Sequence, residues 1–319
     1  MSNKRVYVAL SQFCEYNDQP RRILSEAGFE VRENATCRRM NRKEMFDALR
    51  DVDAVLAGVE PYDDDLLGSL PRLRCISRCG VGTDTIDLEA ARRCNIAVLT
   101  TAEEIVEPVA QMTLAMMLAL SRNFPLHCTD FRSGLWRKHT GYLLSEWTIG
   151  LIGFGRIGRA VGRYLRTFGA KVIITDPNVA PEELPAGVEM RDLESLLGEA
   201  DLISLHADRR SAQGVLIGRR EIAAMKRGSR LVNTARGHLV DETALLEALQ
   251  SGHLAGAALD VFETEPYMGP LKILPQVLCT PHVASLTKAS RLAMELRCAR
   301  NVVEFFSCDS SIPGYTITP

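Results

Sequence analysis

Apolar positions along the chain follow two alternating rhythms. Short runs such as VYVAL, DAVLAGV, CISRC and IAVLT read as buried β-strands, and between them PRRILSEAG and DLEAARRC carry the spacing of helices with one buried face. That βαβ alternation predicts a parallel sheet covered by helices. The stretch VEPVAQMTLAMMLALSR predicts a long, largely buried helix, with Pro108 near its start, where a missing N–H costs little. From Trp147 the rhythm restarts in TIGLIGFG, KVIITD, DLISLH, RLVNTA, GAALDVF and VLCTPH, six runs that predict the strands of a second sheet. A closing segment sets Leu286, Ala289, Leu292, Ala293, Leu296 and Ala299 at helical spacing, which predicts an amphipathic helix returning to the first sheet.

The restart carries the first chemical signal. Gly153, Gly155 and Gly158 form GxGxxG directly after TIGLI, so a tight turn, a close backbone approach to a pyrophosphate and a close helix–strand contact fall in the expected order. Asp176 ends the next strand at the offset where a carboxylate accepts hydrogen bonds from the adenosine ribose and repels a 2′-phosphate, which favours NAD over NADP. The first hundred residues hold no such turn. The expected fold class is therefore α/β, two Rossmann-like doubly wound parallel-sheet domains: an NAD-binding domain at 101–284 inserted into a substrate domain made of 1–100 and 285–319.

Composition narrows the partners. Net charge is −2, with 38 basic residues balanced by 40 acidic ones and no long block of either sign, which excludes general attraction to nucleic acid or to an anionic membrane surface. The nine cysteines are scattered without CxxC pairs, which argues against a disulfide framework or a zinc site, and with no signal-peptide pattern the expected setting is cytoplasmic.

Three segments each end a predicted strand of the second domain: NTARG at 233–237, ALDVFETEP at 258–266 and TPHVAS at 280–285. Carboxyl ends of parallel strands line the ligand crevice, so Arg236, Asp260, Glu265 and His282 are expected to converge there. Together they fit reversible carbonyl reduction. The guanidinium of Arg236 would grip a 2-keto or 2-hydroxy carboxylate with two parallel hydrogen bonds, His282 would exchange a proton with the carbonyl oxygen, and Glu265 would orient the imidazole.

These segments, with RCGVGTDTIDLEAA and GLIGFGRIG, resemble in order the motifs of the D-isomer-specific 2-hydroxyacid dehydrogenase family, from about residue 50 to 305. The resemblance implies two Rossmann-like domains with a cleft between them and a homodimer made chiefly through the cofactor domains. It implies Arg236, Glu265 and His282 as the catalytic set, and Asp260 facing the nicotinamide amide. It also implies Arg156 and Ile157 over the pyrophosphate, and His206, Thr234 and Ala235 lining the cofactor. In the first domain it implies that Arg78, Gly80, Val81 and Gly82 hold the substrate carboxylate.

Within the family the chain is most similar to 3-phosphoglycerate dehydrogenases of the short type, so 3-phosphoglycerate is the first expected substrate and glyoxylate, hydroxypyruvate or another 2-keto acid the second. A NAD-sensing, corepressor-like binding protein is the alternative from another class. Four departures bear on this. Thr85 stands where the family commonly has Asn, and Arg209 and Arg210 fall near the expected adenine edge, where they would weaken the discrimination against a 2′-phosphate. Glu107 and Pro108 give VEP for the family's VAE. VLAGVEP lacks the arginine with which some phosphoglycerate enzymes bind phosphate, which leaves Arg78 for that role.

Overall fold

The computed structural model describes residues 4–207 and 214–307, which divide into two compact units. The first contains the described residues up to Ile105 and those from Leu286 onward. It runs β1 (Arg5–Val8), α1 (Gln19–Glu26), β2 (Glu30–Glu33), α2 (Arg42–Leu49), β3 (Ala54–Ala57), α3 (Asp64–Gly68), β4 (Cys75–Arg78), α4 (Leu88–Arg93) and β5 (Ala97–Leu99). The five strands are parallel in the order β2-β1-β3-β4-β5.

The second unit, Val106–Ser285, opens with α5 (Val106–Ser121) and α6 (Phe124–Arg132). It continues through β6 (Thr148–Ile152), α7 (Arg156–Thr167), β7 (Lys171–Thr175), β8 (Val188–Met190), α8 (Leu193–Glu199), β9 (Leu202–Leu205) and α9 (Arg219–Ala224). β10 (Arg230–Asn233), α10 (Glu242–Gln250), β11 (Gly256–Leu259) and β12 (Val277–Cys279) complete it. Its seven parallel strands lie in the order β12-β11-β10-β9-β6-β7-β8, so the strand order reverses between β6 and β9, where such sheets open a ligand crevice at their carboxyl ends.

Both faces of this sheet are covered, which is why its strands read as continuous apolar runs. Ile173, Ile203, Leu231 and Ala257 belong to one core, while Val172, Leu202, Val232 and Ala258 belong to the other. Local signals start the helices: Asn41 and Glu44 form a capping box on α2, and Asp241 accepts from the N–H groups of Thr243 and Ala244 on α10. No helix among the described residues is long and apolar enough to cross a membrane.

Each sheet has one strand that the apolar runs do not announce. β2 is EVRE and β8 is VEM, and both are edge strands, where charge is tolerated because one side faces solvent. The last helix, α11 (Lys288–Ser307), also differs from expectation. Leu286 lies outside it and is 62% exposed, and the buried face includes Ser290, Met294, Glu295, Cys298 and Asn301. The polar members of that face are satisfied: Asn301 donates to Ser77 Oγ at 3.2 Å, and Glu295 accepts from the Cys14 N–H at 3.0 Å and from Arg291 Nε at 2.8 Å.

Candidate active site

The glycine turn between β6 and α7 is shaped by close approach. Gly153 has φ +93°, and a Cβ there would stand 2.6 Å from the backbone nitrogen of Ala207, while one on Gly158 would run into the carbonyl of Gly153. At Gly155 the space is open, and no side chain caps the N-terminus of α7, which begins with the exposed Arg156; Ile157 packs partly into the core behind it. A backbone cradle with open space above a helix N-terminus fits a pyrophosphate, because the amide groups and the helix dipole both favour an anion there. Asp176 braces this cradle: Oδ2 accepts from the Phe154 N–H at 2.7 Å and Oδ1 from the Asn178 N–H at 2.8 Å. Each oxygen keeps a lone pair that a ribose hydroxyl can use.

His206, after β9, pairs Nε2 with Ser204 Oγ at 3.0 Å, and burial pushes its pKa down to about 4, so the ring is neutral at pH 7. Arg209 and Arg210, which follow it, lie outside the described residues. After β10 the side chain of Asn233 ties the turn, accepting from the Ala235 N–H at 3.0 Å and donating to Arg236 O at 2.8 Å. Thr234 is buried and its hydroxyl pairs with that of Thr113 on α5 at 2.8 Å. Gly237 touches the backbone of Phe262 so closely that no side chain fits, which sets the Arg236 turn against the segment that leads to Glu265.

The loop after β12 is organised by Asp260, which is fully buried. Its Oδ1 accepts from Thr280 Oγ1 at 2.5 Å and from the Val283 N–H at 2.9 Å, and its Oδ2 accepts from the Ala284 N–H at 2.8 Å. The His282 N–H donates to Asp260 O at 2.8 Å. These bonds hold His282 in the left-handed region, φ +53°, where a residue with a side chain persists only if its surroundings over-determine it. The imidazole is exposed, and its Nδ1 lies 2.9 Å from Glu265 Oε2. Glu265 Oε1 accepts from the Phe262 N–H at 3.1 Å, and the peptide between Glu265 and Pro266 is cis. An ionised carboxylate only accepts, so Nδ1 carries the hydrogen and Nε2 is the nitrogen presented outward.

In the first unit, β4 leads into the loop at 78–82. Gly80 has φ +137°, its N–H donates to Thr101 Oγ1 at 2.8 Å, and its carbonyl accepts from the Thr101 N–H at 3.1 Å. The Arg78 guanidinium turns back on its own loop, donating from Nε to Gly82 O at 3.2 Å and from Nη1 to Cys79 O. Among the described residues the backbone N–H groups of Val81 and Gly82 have no hydrogen-bond partner, so they are the loop's remaining backbone donors. Thr85, beyond it, accepts from the Tyr62 N–H at 2.7 Å through its backbone, and Glu107, in the first turn of α5, pairs with Arg163 at 3.3 Å.

Asp260, Glu265 and His282 therefore meet in one hydrogen-bonded constellation. The bracing roles of Thr280 and Thr113 were not legible beforehand, because each depends on a partner distant in sequence. Among the described residues no group of histidine, cysteine, aspartate and glutamate could hold a metal ion.

Residues 114–284 match the family described as D-isomer specific 2-hydroxyacid dehydrogenase, NAD binding domain. The chain is 37% identical over 273 residues to a glyoxylate reductase of Thermococcus litoralis, with 82% of each chain covered. It is 36% identical over 265 residues to a D-3-phosphoglycerate dehydrogenase of Bacillus subtilis, covering 81% of this chain and 50% of that one. In three dimensions it is similar to the crystal structure of a glyoxylate reductase from Paecilomyes thermophila, with TM-score 0.85, 29% identity and 95% of each chain covered.

Proposed function

Because the chain belongs to the D-isomer specific 2-hydroxyacid dehydrogenase family and is an NAD-dependent enzyme, we propose that it interconverts a short, unphosphorylated 2-keto acid, of the size of glyoxylate or hydroxypyruvate, with its D-2-hydroxy acid. The observation that carries the chemistry is the Glu265–His282 pair at 2.9 Å. His282 Nε2 gives its proton to the substrate carbonyl oxygen during reduction and takes one from the hydroxyl in the reverse direction, while Glu265 stabilises the charged ring. Arg236 grips the carboxylate, and we propose that the N–H groups of the 78–82 loop are also carboxylate-binding donors. Asp176 holds the adenosine ribose, and the cradle at Gly153, Gly155 and Gly158 holds the pyrophosphate, flanked by Arg156 and Ile157. His206, Thr234, Ala235 and Asp260 line the rest of the cofactor's path. When bound, NADH supplies the hydride to the carbonyl carbon.

One observation favours an unphosphorylated substrate: Arg78 spends Nε and Nη1 on loop carbonyls, which leaves less of its guanidinium for a phosphate. The similarity to the Bacillus phosphoglycerate enzyme supports 3-phosphoglycerate as the second reading, although this chain spans half of that protein.

The test follows NADH and NADPH oxidation with glyoxylate, hydroxypyruvate and phosphohydroxypyruvate side by side. We expect NADH-linked turnover of an unphosphorylated acid. Fast turnover of phosphohydroxypyruvate alone would install the second reading.

We further propose a cytoplasmic homodimer formed through the second unit. Support comes from α6 and the segment after it, where Phe131 is 69% and Trp136 83% exposed and His139 Nε2 pairs with Asp130 at 2.8 Å to brace the segment. Light scattering should give a dimer for the native chain and a monomer for Trp136→Asp; a native monomer would exclude this interface.

A further inference from the structure

Two of the scattered cysteines meet. Cys79 follows β4 at the start of the 78–82 loop, and Cys298 lies on the face of α11 that covers that strand. Cys298 Sγ is 3.6 Å from Ser77 O, Asn301 one turn along α11 donates to Ser77 Oγ at 3.2 Å, and the side chain of Cys79, on the same side of the extended chain as that of Ser77, therefore faces Cys298. The pair is asymmetric in access, since Cys79 is 8% exposed and Cys298 is fully sealed.

It is also asymmetric in reactivity. The Cys298 thiol facing it holds the Cys79 thiol below its ordinary range against the effect of burial, and Arg291 and Arg78 act in the same sense. Burial pushes Cys298 well up. Burial also raises Cys14 and Cys279 to about 11 and Cys75 to about 12, which leaves those thiols unreactive near neutrality.

We propose that Cys79 and Cys298 form a redox modification site, in which a peroxide converts the two thiols to a disulfide that ties the 78–82 loop to α11. The Cys79 thiolate attacks a peroxide oxygen, the O–O bond breaks, and hydroxide leaves to become water with the thiol proton; Cys79 is then a sulfenic acid. The sulfur of Cys298 attacks that sulfur, the S–O bond breaks, and a second water leaves with the proton of Cys298. The two thiols together lose two electrons, which the peroxide gains. A dithiol reductant reverses the change by exchange.

The disulfide draws Cys79 toward the helix, and Cys79 O is an acceptor that orients Arg78, while the adjacent Gly80 N–H is held by Thr101. The loop shifts, and a shift of about an ångström is enough to cost on the order of a hundredfold in a well-aligned site. This kinetic consequence rests on the proposed role of the loop in holding the substrate carboxylate.

The test is titration of the reduced full-length protein with hydrogen peroxide, followed by alkylation, tryptic digestion and mass spectrometry. We expect a linked pair of peptides carrying Cys79 and Cys298, a rise in KM for the keto acid of at least about tenfold, unchanged NADH affinity, and recovery of both KM and free thiols with dithiothreitol. In Cys298→Ser the linked peptide should vanish and dimedone should trap Cys79 as the sulfenic acid. Oxidation confined to the exposed Cys37 and Cys128, or a link between other cysteines, would overturn the proposal whether or not the variant folds. A Cys79–Cys298 link with unchanged KM would uphold the modification site and overturn the role given to the loop.

Discussion

In the second unit a buried carboxylate, Asp260, gathers the N–H groups of the loop that carries His282; in the first, a cation, Arg78, gathers the carbonyls of the loop at 78–82. Both loops follow parallel strands and both contain a residue at positive φ, His282 and Gly80. They differ in what is left over. Around Asp260 the amide hydrogens are consumed and a side chain, the imidazole, is presented outward. Around Arg78 the carbonyls of Cys79, Gly80 and Gly82 are engaged and the backbone N–H groups of Val81 and Gly82 remain, which suits an anion. The first arrangement suits the proton exchange proposed for His282, and the second suits the carboxylate binding proposed for the 78–82 loop.

The comparison can be broken most forcefully at the imidazole. His282→Ala should lower kcat by on the order of 10²–10⁴-fold, the range for a general acid–base group, with NADH affinity by fluorescence titration nearly unchanged. A parallel loss of NADH affinity would show that the ring serves the cofactor instead.

Asp260→Ala tests the scaffold behind that ring. It strands buried N–H groups at Val283 and Ala284, and urea unfolding should show a loss on the order of 3 kcal/mol. Turnover should fall with it, since His282 is no longer held at positive φ. Full stability with lost activity would make Asp260 a ligand contact only.

Arg78→Ala sharpens the other side. If the guanidinium braces its loop, KM should rise about tenfold for hydroxypyruvate and phosphohydroxypyruvate alike, as positioning errors do. A rise confined to the phosphorylated compound would make Arg78 a phosphate ligand.

The smallest effect concerns His206. Its pKa is held at about 4 by burial, below the ordinary value of 6.5, so between those values the unfolded chain binds more protons than the folded one. Its contribution to stability is therefore fully present above pH 6.5 and is lost as pH falls from 6.5 toward 4. Unfolding curves across that window should be flatter for His206→Asn than for the native chain; identical slopes would show that the ring already titrates normally.

The sequence by itself determined the α/β class, the glycine turn and the residues that could carry carbonyl reduction. Apolar periodicity and turn chemistry are local, and GxGxxG, NTARG and TPHVAS are each contiguous. It did not announce the edge strands β2 and β8, because solvent on one side removes the need for an apolar run. It announced α11 and its buried Ala299 but not the burial of Asn301 and Glu295, which partners outside the helix, Ser77 Oγ and the Cys14 N–H, help to satisfy. The clamp made by Asp260 and the meeting of Cys79 with Cys298 were decided only by the tertiary structure. Each depends on a distance between groups that the chain brings together by folding, and such a distance has no local signature in the order of the residues.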